Sequence, residues 1–243
     1  AHPDVTTASP RFLSLGDGNE VLQAALAPGD VILAAESAFC YRGLGLRQEV
    51  HRLNNRGTIG RALGWVTGKQ DRVIKWTNEG TAPTYVGLSA PLPGKLIPID
   101  VQKAGTILIK PKTFLCSVSG NDVKSQSLRL TPEDPFPAVK LDLRKISGSG
   151  MCYIQAGGAA VQKTLGRTES MVAEVGCVAA FSESCSVVAE QRTGIVLELP
   201  YSQGFNVKIS GPGIVFLQSS HLGRLCRSMA TERVMGRAGT GDF

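Results

Sequence analysis

A short block of six residues recurs three times along the chain. The copies cover residues 75–80, 145–150 and 208–213, and each reads Lys, a large apolar residue, Thr or Ser, Asn or Gly, any residue, Gly. A glycine-rich centre of this kind tolerates the positive φ angles of a tight hairpin turn. Repetition at a fixed interval indicates a chain built from equivalent units, and it constrains the fold more than any single motif does.

A second block, which runs into an apolar segment, precedes each copy of the first. Gly29, Gly105 and Thr168 occupy the same place in this block, and they precede the repeated lysine by 46, 40 and 40 residues. This near-constant interval predicts three copies of one unit, the first of which is six residues longer. The same alignment places Cys40 opposite Cys116.

Apolar and polar residues alternate beside these blocks. Residues 195–199 and 205–210 each have the two-residue period of a β-strand. The 28 glycines and 13 prolines are scattered as turn punctuation, which favours many short strands. Because a two-stranded ribbon is marginal alone, the copies are expected to pack around one continuous core. Trp76 fills the apolar position that Ile146 and Ile209 occupy in the other copies, so it is expected in that core. The predicted fold is all-β, with three repeats.

These signals divide the chain into five segments. Prolines and glycines at 91–94 and 157–158 punctuate the repeat boundaries. Apolar residues of the tail recur at roughly helical spacing, so we expect a short C-terminal helix and little helix elsewhere. The predicted segments are an N-terminal arm at 1–20, a first repeat at 21–95 with a basic insertion at 42–72, a second repeat at 96–158, a third repeat at 159–220 and a basic amphipathic tail at 221–243.

The positive charge of the chain is local. The formal net charge is +6, of which residues 42–72 contribute +5 and residues 221–243 contribute +2, so that the remainder sums to −1. Arginine dominates the first of these segments, and its guanidinium group suits bidentate phosphate binding. The alternative interpretation is a solvated face that keeps the protein soluble. The candidate anion-binding residues are Arg42, Arg47, Arg52, Arg56 and Arg61, together with the repeated lysines Lys75, Lys145 and Lys208.

Six cysteines are present, and none forms a Cys-x-x-Cys pair. Four of them lie inside apolar strand-like runs, which is typical of reduced thiols packed as small hydrophobic side chains. We therefore expect all six to be free, with Cys40 and Cys116 buried. Free thiols favour a reducing intracellular compartment. No apolar run approaches the ~18 residues that a membrane-spanning helix requires, so no transmembrane segment is predicted.

The sequence contains no recognisable catalytic constellation. Its three histidines, His2, His51 and His221, have no carboxylate, cysteine and serine grouping beside them. Residues 64–69 resemble a phosphate-binding loop, but the loop is one residue short and Gln70 stands where a magnesium-binding hydroxyl is needed. Nucleophile and base can be remote in sequence, which leaves catalysis open as an alternative. We predict no catalytic residues, no metal site and no cofactor.

Several longer stretches of the chain match the pattern of one known family. They are Leu26–Asp30, Trp76–Gly80, Gly87–Asp100, Ser147–Gly157, Val178–Phe181 and Ser210–Gln218. At these stretches the chain resembles the altered-inheritance-of-mitochondria protein family. The resemblance implies a fold similar to the tryptophan RNA-binding attenuation protein, which is a short double-stranded β-helix, here repeated in one chain and assembled into rings. For eukaryotic members it also implies a role in mitochondrial inner-membrane organisation, and it supplies no catalytic residues. The location that it implies is cytoplasmic, or mitochondrial in a eukaryote.

Three function classes remain at this stage. The first is a non-catalytic binding or scaffolding protein, expected as a homotrimer because closure into a ring removes the exposed strand edges of the end units. The second is a protein that binds RNA or another anion through residues 42–72. The third is a small-ligand binder or enzyme at a repeat junction. An anionic lipid surface, an acidic protein and RNA are the candidate partners of the basic segment.

Overall fold

Antiparallel β-strands make up most of the protein, and the all-β prediction is confirmed. The structure is a computed structural model that describes residues 11–16, 20–53, 72–89, 93–130, 139–190, 205–221, 223, 225 and 226. Within these residues helix is confined to α1 (Val101–Ala104), a 3₁₀ turn (Val175–Cys177) and positions 223, 225 and 226 of the tail. None of the described helices is long and apolar enough to cross a membrane.

The strands are numbered in chain order. The first seven are β1 (Arg11–Leu15), β2 (Val21–Leu26), β3 (Val31–Ala35), β4 (Phe39–Arg42), β5 (Leu46–Arg52), β6 (Arg72–Asn78) and β7 (Thr84–Leu88). The next six are β8 (Gly94–Asp100), β9 (Ile107–Ile109), β10 (Phe114–Val118), β11 (Asn121–Leu130), β12 (Val139–Gly148) and β13 (Met151–Gly157). The last six are β14 (Ala160–Leu165), β15 (Ser170–Glu174), β16 (Val178–Ser182), β17 (Ser186–Glu190), β18 (Asn206–Ser210) and β19 (Gly213–Gln218).

The described strands form four sheets whose orders correspond. One six-stranded sheet has the order β5-β6-β3-β10-β13-β8, and the other has the order β11-β12-β9-β16-β19-β14. Adding six to every strand number of the first sheet produces the second. Strands β2, β7 and β4 of the four-stranded sheet β1-β2-β7-β4 and all strands of the three-stranded sheet β15-β18-β17 each correspond to one half of this arrangement, and β1 is an additional strand beside β2. A six-stranded sheet therefore combines three strands from each of two successive parts of the chain.

The register of these sheets repeats with the strand order. Lys75 lies opposite Leu33, Lys145 lies opposite Leu108, and Lys208 lies opposite Val172. The residue before each lysine also has an aliphatic partner, which is Ala34, Ile109 or Ala173 in turn. The repeated lysines thus occupy the same register position in three different sheets.

A register shift recurs in three strands and corrects the cysteine alignment. In β4 it falls between Phe39 and Tyr41, in β10 between Phe114 and Cys116, and in β16 between Val178 and Ala180. The extra residues are Cys40, Leu115 and Ala179. Cys40 therefore corresponds to Leu115, and the predicted match with Cys116 is wrong by one residue. The alignment was anchored on Gly29 and Gly105, but Gly29 lies five residues before Ala34 whereas Gly105 lies four residues before the corresponding Ile109.

Three apolar clusters form the core of the part of the chain that the structure describes. Trp76 belongs to the first cluster and is 1% exposed, which confirms its predicted burial. This cluster reaches from Leu22 on β2 to Tyr153 on β13, and the second reaches from Val73 on β6 to Phe216 on β19. Burial of each large side chain stabilises the fold by about 1.5–3 kcal/mol. Every cluster takes residues from strands in successive parts of the chain, so these parts share their core.

Candidate interaction edges and a Glu–Cys–His cluster

Two strand edges lack the neighbour that their counterparts have. In the six-stranded sheets, β10 pairs with β3 and β16 pairs with β9, through antiparallel contacts such as Cys116 with Ala34 and Ala180 with Ile109. Their counterparts β4 and β15 end their sheets, and within the described chain each has a partner on one side only. We call β4 and β15 the open edges. We call the pairings of β10 with β3 and of β16 with β9 the internal junctions. The edge β4 corresponds to the first strand of each pair, and β15 corresponds to the second.

The open edges expose apolar side chains whose counterparts are more buried. Phe39 on β4 is 46% exposed, whereas its counterparts Phe114 and Val178 are 3% and 2% exposed. Val172 on β15 is 49% exposed, whereas its counterpart Leu108 is 3% exposed and its counterpart Leu33 is half-buried. Unpaired edges with exposed apolar residues are templates for pairing with another chain. These two edges are therefore the best candidates for an interaction surface.

Cys40 is also exposed at a position where its counterparts are buried. It is exposed on β4, whereas Leu115 and Ala179 at the corresponding positions are 1% and 0% exposed. The prediction that Cys40 is buried is therefore wrong for the single chain, because no strand covers this edge. Cys116 is buried as predicted, and all six cysteines are free.

Carboxylates neutralise part of the predicted basic surface. The Arg47 guanidinium contacts Glu79 at 2.9 Å and Glu49 at 2.7 Å. The hydrogen bond to Glu79, followed by the charge of Glu49, raises the pKa of Arg47 above its usual value. Lys75 lies 3.9 Å from the same Glu49. Exposed pairs of this kind contribute little to stability, but they reduce the local positive charge.

The remaining described candidates for anion binding lie on four different sheets. Arg42 lies on β4, where its Nη1 donates to the carbonyl of Leu46 at 3.1 Å, and Arg52 lies at the exposed end of β5. Lys145 contacts Glu183 at 2.5 Å on another sheet, and Lys208 is half-buried on the three-stranded sheet. The eight candidates include Arg56 and Arg61, which lie outside the described residues. Their role in anion binding stays a prediction.

A cluster of three potential metal ligands lies at the C-terminal end of the open edge β15. Glu174 ends this strand, Cys177 ends the 3₁₀ turn that follows, and His221 comes after β19. His221 Nε2 lies 3.2 Å from Glu174 Oε1, and Cys177 Sγ lies 4.0 Å from Glu174 Oε2. The ligand atoms of all three side chains lie within 4.8 Å of one another. Glutamate, cysteine and histidine together offer the oxygen, sulfur and nitrogen donors that zinc-class cations bind.

The surroundings hold His221 in place. Its side chain is 7% exposed, and its ring lies so close to Gly176 that a Cβ atom at that position would overlap it. Gln218 Nε2 donates a hydrogen bond of 2.9 Å to the Gly176 carbonyl. The histidine is thus oriented by backbone packing as well as by Glu174.

The partly buried ammonium group of Lys110 adjoins the cluster. The Lys110 ammonium, which follows β9, donates to the carbonyl of Val175. Burial lowers the pKa of Lys110 to about 8, while the nearby Cys177 and Glu174 act in the opposite direction. Electrostatic interaction therefore links Lys110 to two of the three ligand side chains.

Sequence reasoning missed this cluster because its members are far apart in the chain. Glu174 and His221 are separated by 47 positions, and no local motif connects them. The recurring register marks Glu174 as the counterpart of Lys110, but it does not reveal which other strand end lies nearby. Only the return of the chain after β19 brings His221 to the open edge.

The family comparison matches nearly all of the described strands. A family model described as Mitochondrial biogenesis AIM24 matches residues 12–220. No protein with a curated description matches the chain.

Seven chains of solved structures resemble the protein. One is the crystal structure of protein SPYM3_0169 from Streptococcus pyogenes, with a TM-score of 0.72 and 15% sequence identity. The similarity covers 92% of this chain and 100% of the streptococcal chain. At this level of identity the comparison shows a common fold.

Proposed function

The chain belongs to the AIM24 family of mitochondrial biogenesis, and from this premise we propose that it is a non-catalytic scaffolding protein that works as a closed oligomer. The observation that carries the proposal is the pair of open edges. β4 corresponds to β10 and β16, and β15 corresponds to β3 and β9, which are the strands that pair with each other at the internal junctions. A second copy of the chain is therefore the occupant that each edge fits.

The proposal treats the chain as three equivalent units. Each unit has six strands, three of which complete the preceding sheet while the other three begin the next sheet. The shift of six between the two strand orders and the common position of Lys75, Lys145 and Lys208 support this division. The first unit then has an unmatched leading half and the third unit has an unmatched trailing half. Pairing of these halves continues the pattern from one chain into the next.

The internal junctions specify the register between copies. Ala173 on β15 corresponds to Ala34 and Ile109, because each of the three lies opposite the residue that precedes a repeated lysine. Tyr41 of one copy then lies opposite Ala173 of the next, and its neighbour Arg42 lies opposite Val172. This contact covers Val172 and Phe39, which are apolar side chains exposed on the open edges of the single chain.

Head-to-tail contacts of this kind form a ring when the rotation between copies closes, and a filament when it does not. The resemblance to ring-forming proteins of about nine to eleven units favours three chains with three units each. Closure leaves no open edge of the β4 or β15 type, which protects the assembly from further strand pairing. In a eukaryote, such a ring would serve the organisation of the mitochondrial inner membrane.

Light scattering coupled to size-exclusion chromatography tests the assembly. The wild-type chain is expected at three times its monomer mass of 25.7 kDa. Val172→Asp buries a carboxylate in the proposed contact and should release monomers. Val50→Asp is the matched control, because Val50 is 56% exposed on β5, which ends its sheet as its counterparts β11 and β17 do. A monomeric wild-type protein at micromolar concentration, or equal effects of both substitutions, would contradict the proposal.

A further inference from the structure

We infer that Glu174, Cys177 and His221 bind a divalent cation of the zinc class, and that Cys40 of the neighbouring copy supplies the fourth ligand. The inference rests on the head-to-tail contact proposed above. It adds a chemical function to that contact, since each metal ion would join two copies of the chain.

The donor atoms have the spacing of a tetrahedral site. Zinc bonds of about 2.0–2.3 Å place two ligand atoms about 3.3–3.8 Å apart across a tetrahedron. The measured separations are 3.2 Å between His221 Nε2 and Glu174 Oε1 and 4.0 Å between Cys177 Sγ and Glu174 Oε2. Small side-chain rotations bring the three donors to bonding distance. Three protein ligands leave one coordination position for a further group.

The His221 ring is held in place by its surroundings. Gly176 lies between Val175 and Cys177 in the 3₁₀ turn, its carbonyl accepts a hydrogen bond from Gln218, and its missing side chain makes room for the His221 ring. Outer contacts that orient a ligand strengthen metal binding. The site is therefore built by packing around His221 and does not consist of surface side chains that happen to be close.

The internal junction indicates where Cys40 would lie. The carbonyl oxygen of Ala179 accepts hydrogen bonds from the Lys110 amide at 3.0 Å and from Thr113 Oγ1 at 2.9 Å. Lys110 and Thr113 are the first and fourth residues after Ile109. Ala179 therefore contacts both ends of the connection between β9 and β10.

The same positions at the open edge carry ligand-type side chains. Glu174 and Cys177 are the first and fourth residues after Ala173, the counterpart of Ile109, and Cys40 is the counterpart of Ala179. Applied to two copies, the internal contact brings Cys40 of one copy against Glu174 and Cys177 of the next. The resulting donor set has two thiolates, one imidazole and one carboxylate, which suits a tetrahedral zinc-class ion.

Cobalt(II) substitution tests the site in the full-length protein. After chelator treatment and dialysis, Co²⁺ is titrated into the protein, and the visible d–d bands and the ultraviolet thiolate-to-cobalt band are recorded. We expect one tetrahedral Co²⁺ per chain in the wild type. Cys177→Ser and His221→Gln should each lower the affinity at least about tenfold, and circular dichroism shows whether these variants fold.

Cys40→Ser separates the shared site from a site within one chain. Because Cys40 is exposed in the single chain, this variant is expected to fold, to keep one thiolate ligand and to lose about half of the thiolate band. Cys226→Ser is the control, because Cys226 is also exposed and lies outside the cluster, and its spectrum should equal that of the wild type. An unchanged thiolate band in Cys40→Ser would overturn the inference, as would absence of stoichiometric Co²⁺ binding.

Light scattering on the same samples distinguishes the two proposals. A trimer that binds no Co²⁺ overturns the metal site and leaves the scaffold proposal intact. A monomer that binds Co²⁺ with one thiolate overturns the scaffold proposal and the assignment of Cys40. A trimer with the two-thiolate spectrum supports both.

Discussion

Asn78 should be one of the most sensitive polar positions in the protein. Asn78 is the last residue of β6, and it is 1% exposed. The side-chain amide donates to the carbonyls of Leu26 at 2.9 Å and Ala82 at 3.0 Å, and its oxygen accepts from the Gly80 amide at 2.9 Å. These three bonds tie β2 and the β6–β7 turn to one side chain.

Asn78→Ala removes all three hydrogen bonds. At about 1 kcal/mol of net stability for each, the loss is about 3 kcal/mol. Asn78→Asp retains the acceptor for Gly80 but turns an oxygen towards two carbonyl oxygens. Repulsion and the cost of burying the carboxylate should raise the loss to about 4–5 kcal/mol. The order of the two variants separates hydrogen bonding from simple packing, because aspartate has nearly the shape of asparagine.

Urea denaturation at a fixed protein concentration measures both changes, since assembly would add to the apparent stability. Gln48→Ala is the control, because Gln48 is an exposed polar residue on the neighbouring strand β5 and should change stability by less than about 0.5 kcal/mol. A loss below about 1 kcal/mol for Asn78→Ala, or an aspartate variant as stable as the alanine variant, would refute the reasoning.

Three further outcomes are expected. Gly148→Ala should lower the free energy of unfolding, measured by urea denaturation, by about 1–3 kcal/mol or more, because Gly148 has a φ of +131° and an added Cβ would overlap the Gly120 carbonyl. Gly29→Ala is the control and should cost only about 1–2 kcal/mol, because Gly29 has a φ of +86° but no atom lies within 4 Å of the added Cβ. Equal costs of the two variants would contradict the steric argument. In thiol labelling of the native protein followed by mass spectrometry, the exposed Cys226 should react at once. Cys116 and Cys152 should react only after unfolding, because their burial excludes the reagent and raises the pKa of these two thiols. Rapid labelling of Cys116 in the native protein would disprove this. The register between copies can be tested by disulfide cross-linking in a Cys40→Ser, Cys226→Ser background. The pair Tyr41→Cys and Ala173→Cys should cross-link neighbouring copies under mild oxidation, whereas the control pair Tyr41→Cys and Ser170→Cys should not. The reverse result would show a different register.

Local patterns were sufficient for the fold class and for several positions within it. The two-residue alternation and the scattered glycines predicted an all-β protein, and the apolar position shared by Trp76, Ile146 and Ile209 predicted the buried tryptophan. These inferences succeed because strand period and burial depend on residues close together in the chain. The longer motifs also identified the family, which the match over residues 12–220 confirms.

Contacts between distant residues were decided only by the tertiary structure. Gly29 lies one residue farther from its strand than Gly105 does, so only the strand pairing shows that Cys40 corresponds to Leu115 and not to Cys116. Arg47 looked like part of a free basic surface until β5 and β6 brought it to Glu79. Glu174 and His221 meet because β15 and the end of β19 converge, although 47 positions separate them. The sequence determines which segments become strands, whereas strand pairing and core packing over the whole chain determine which edges stay open and which side chains meet there.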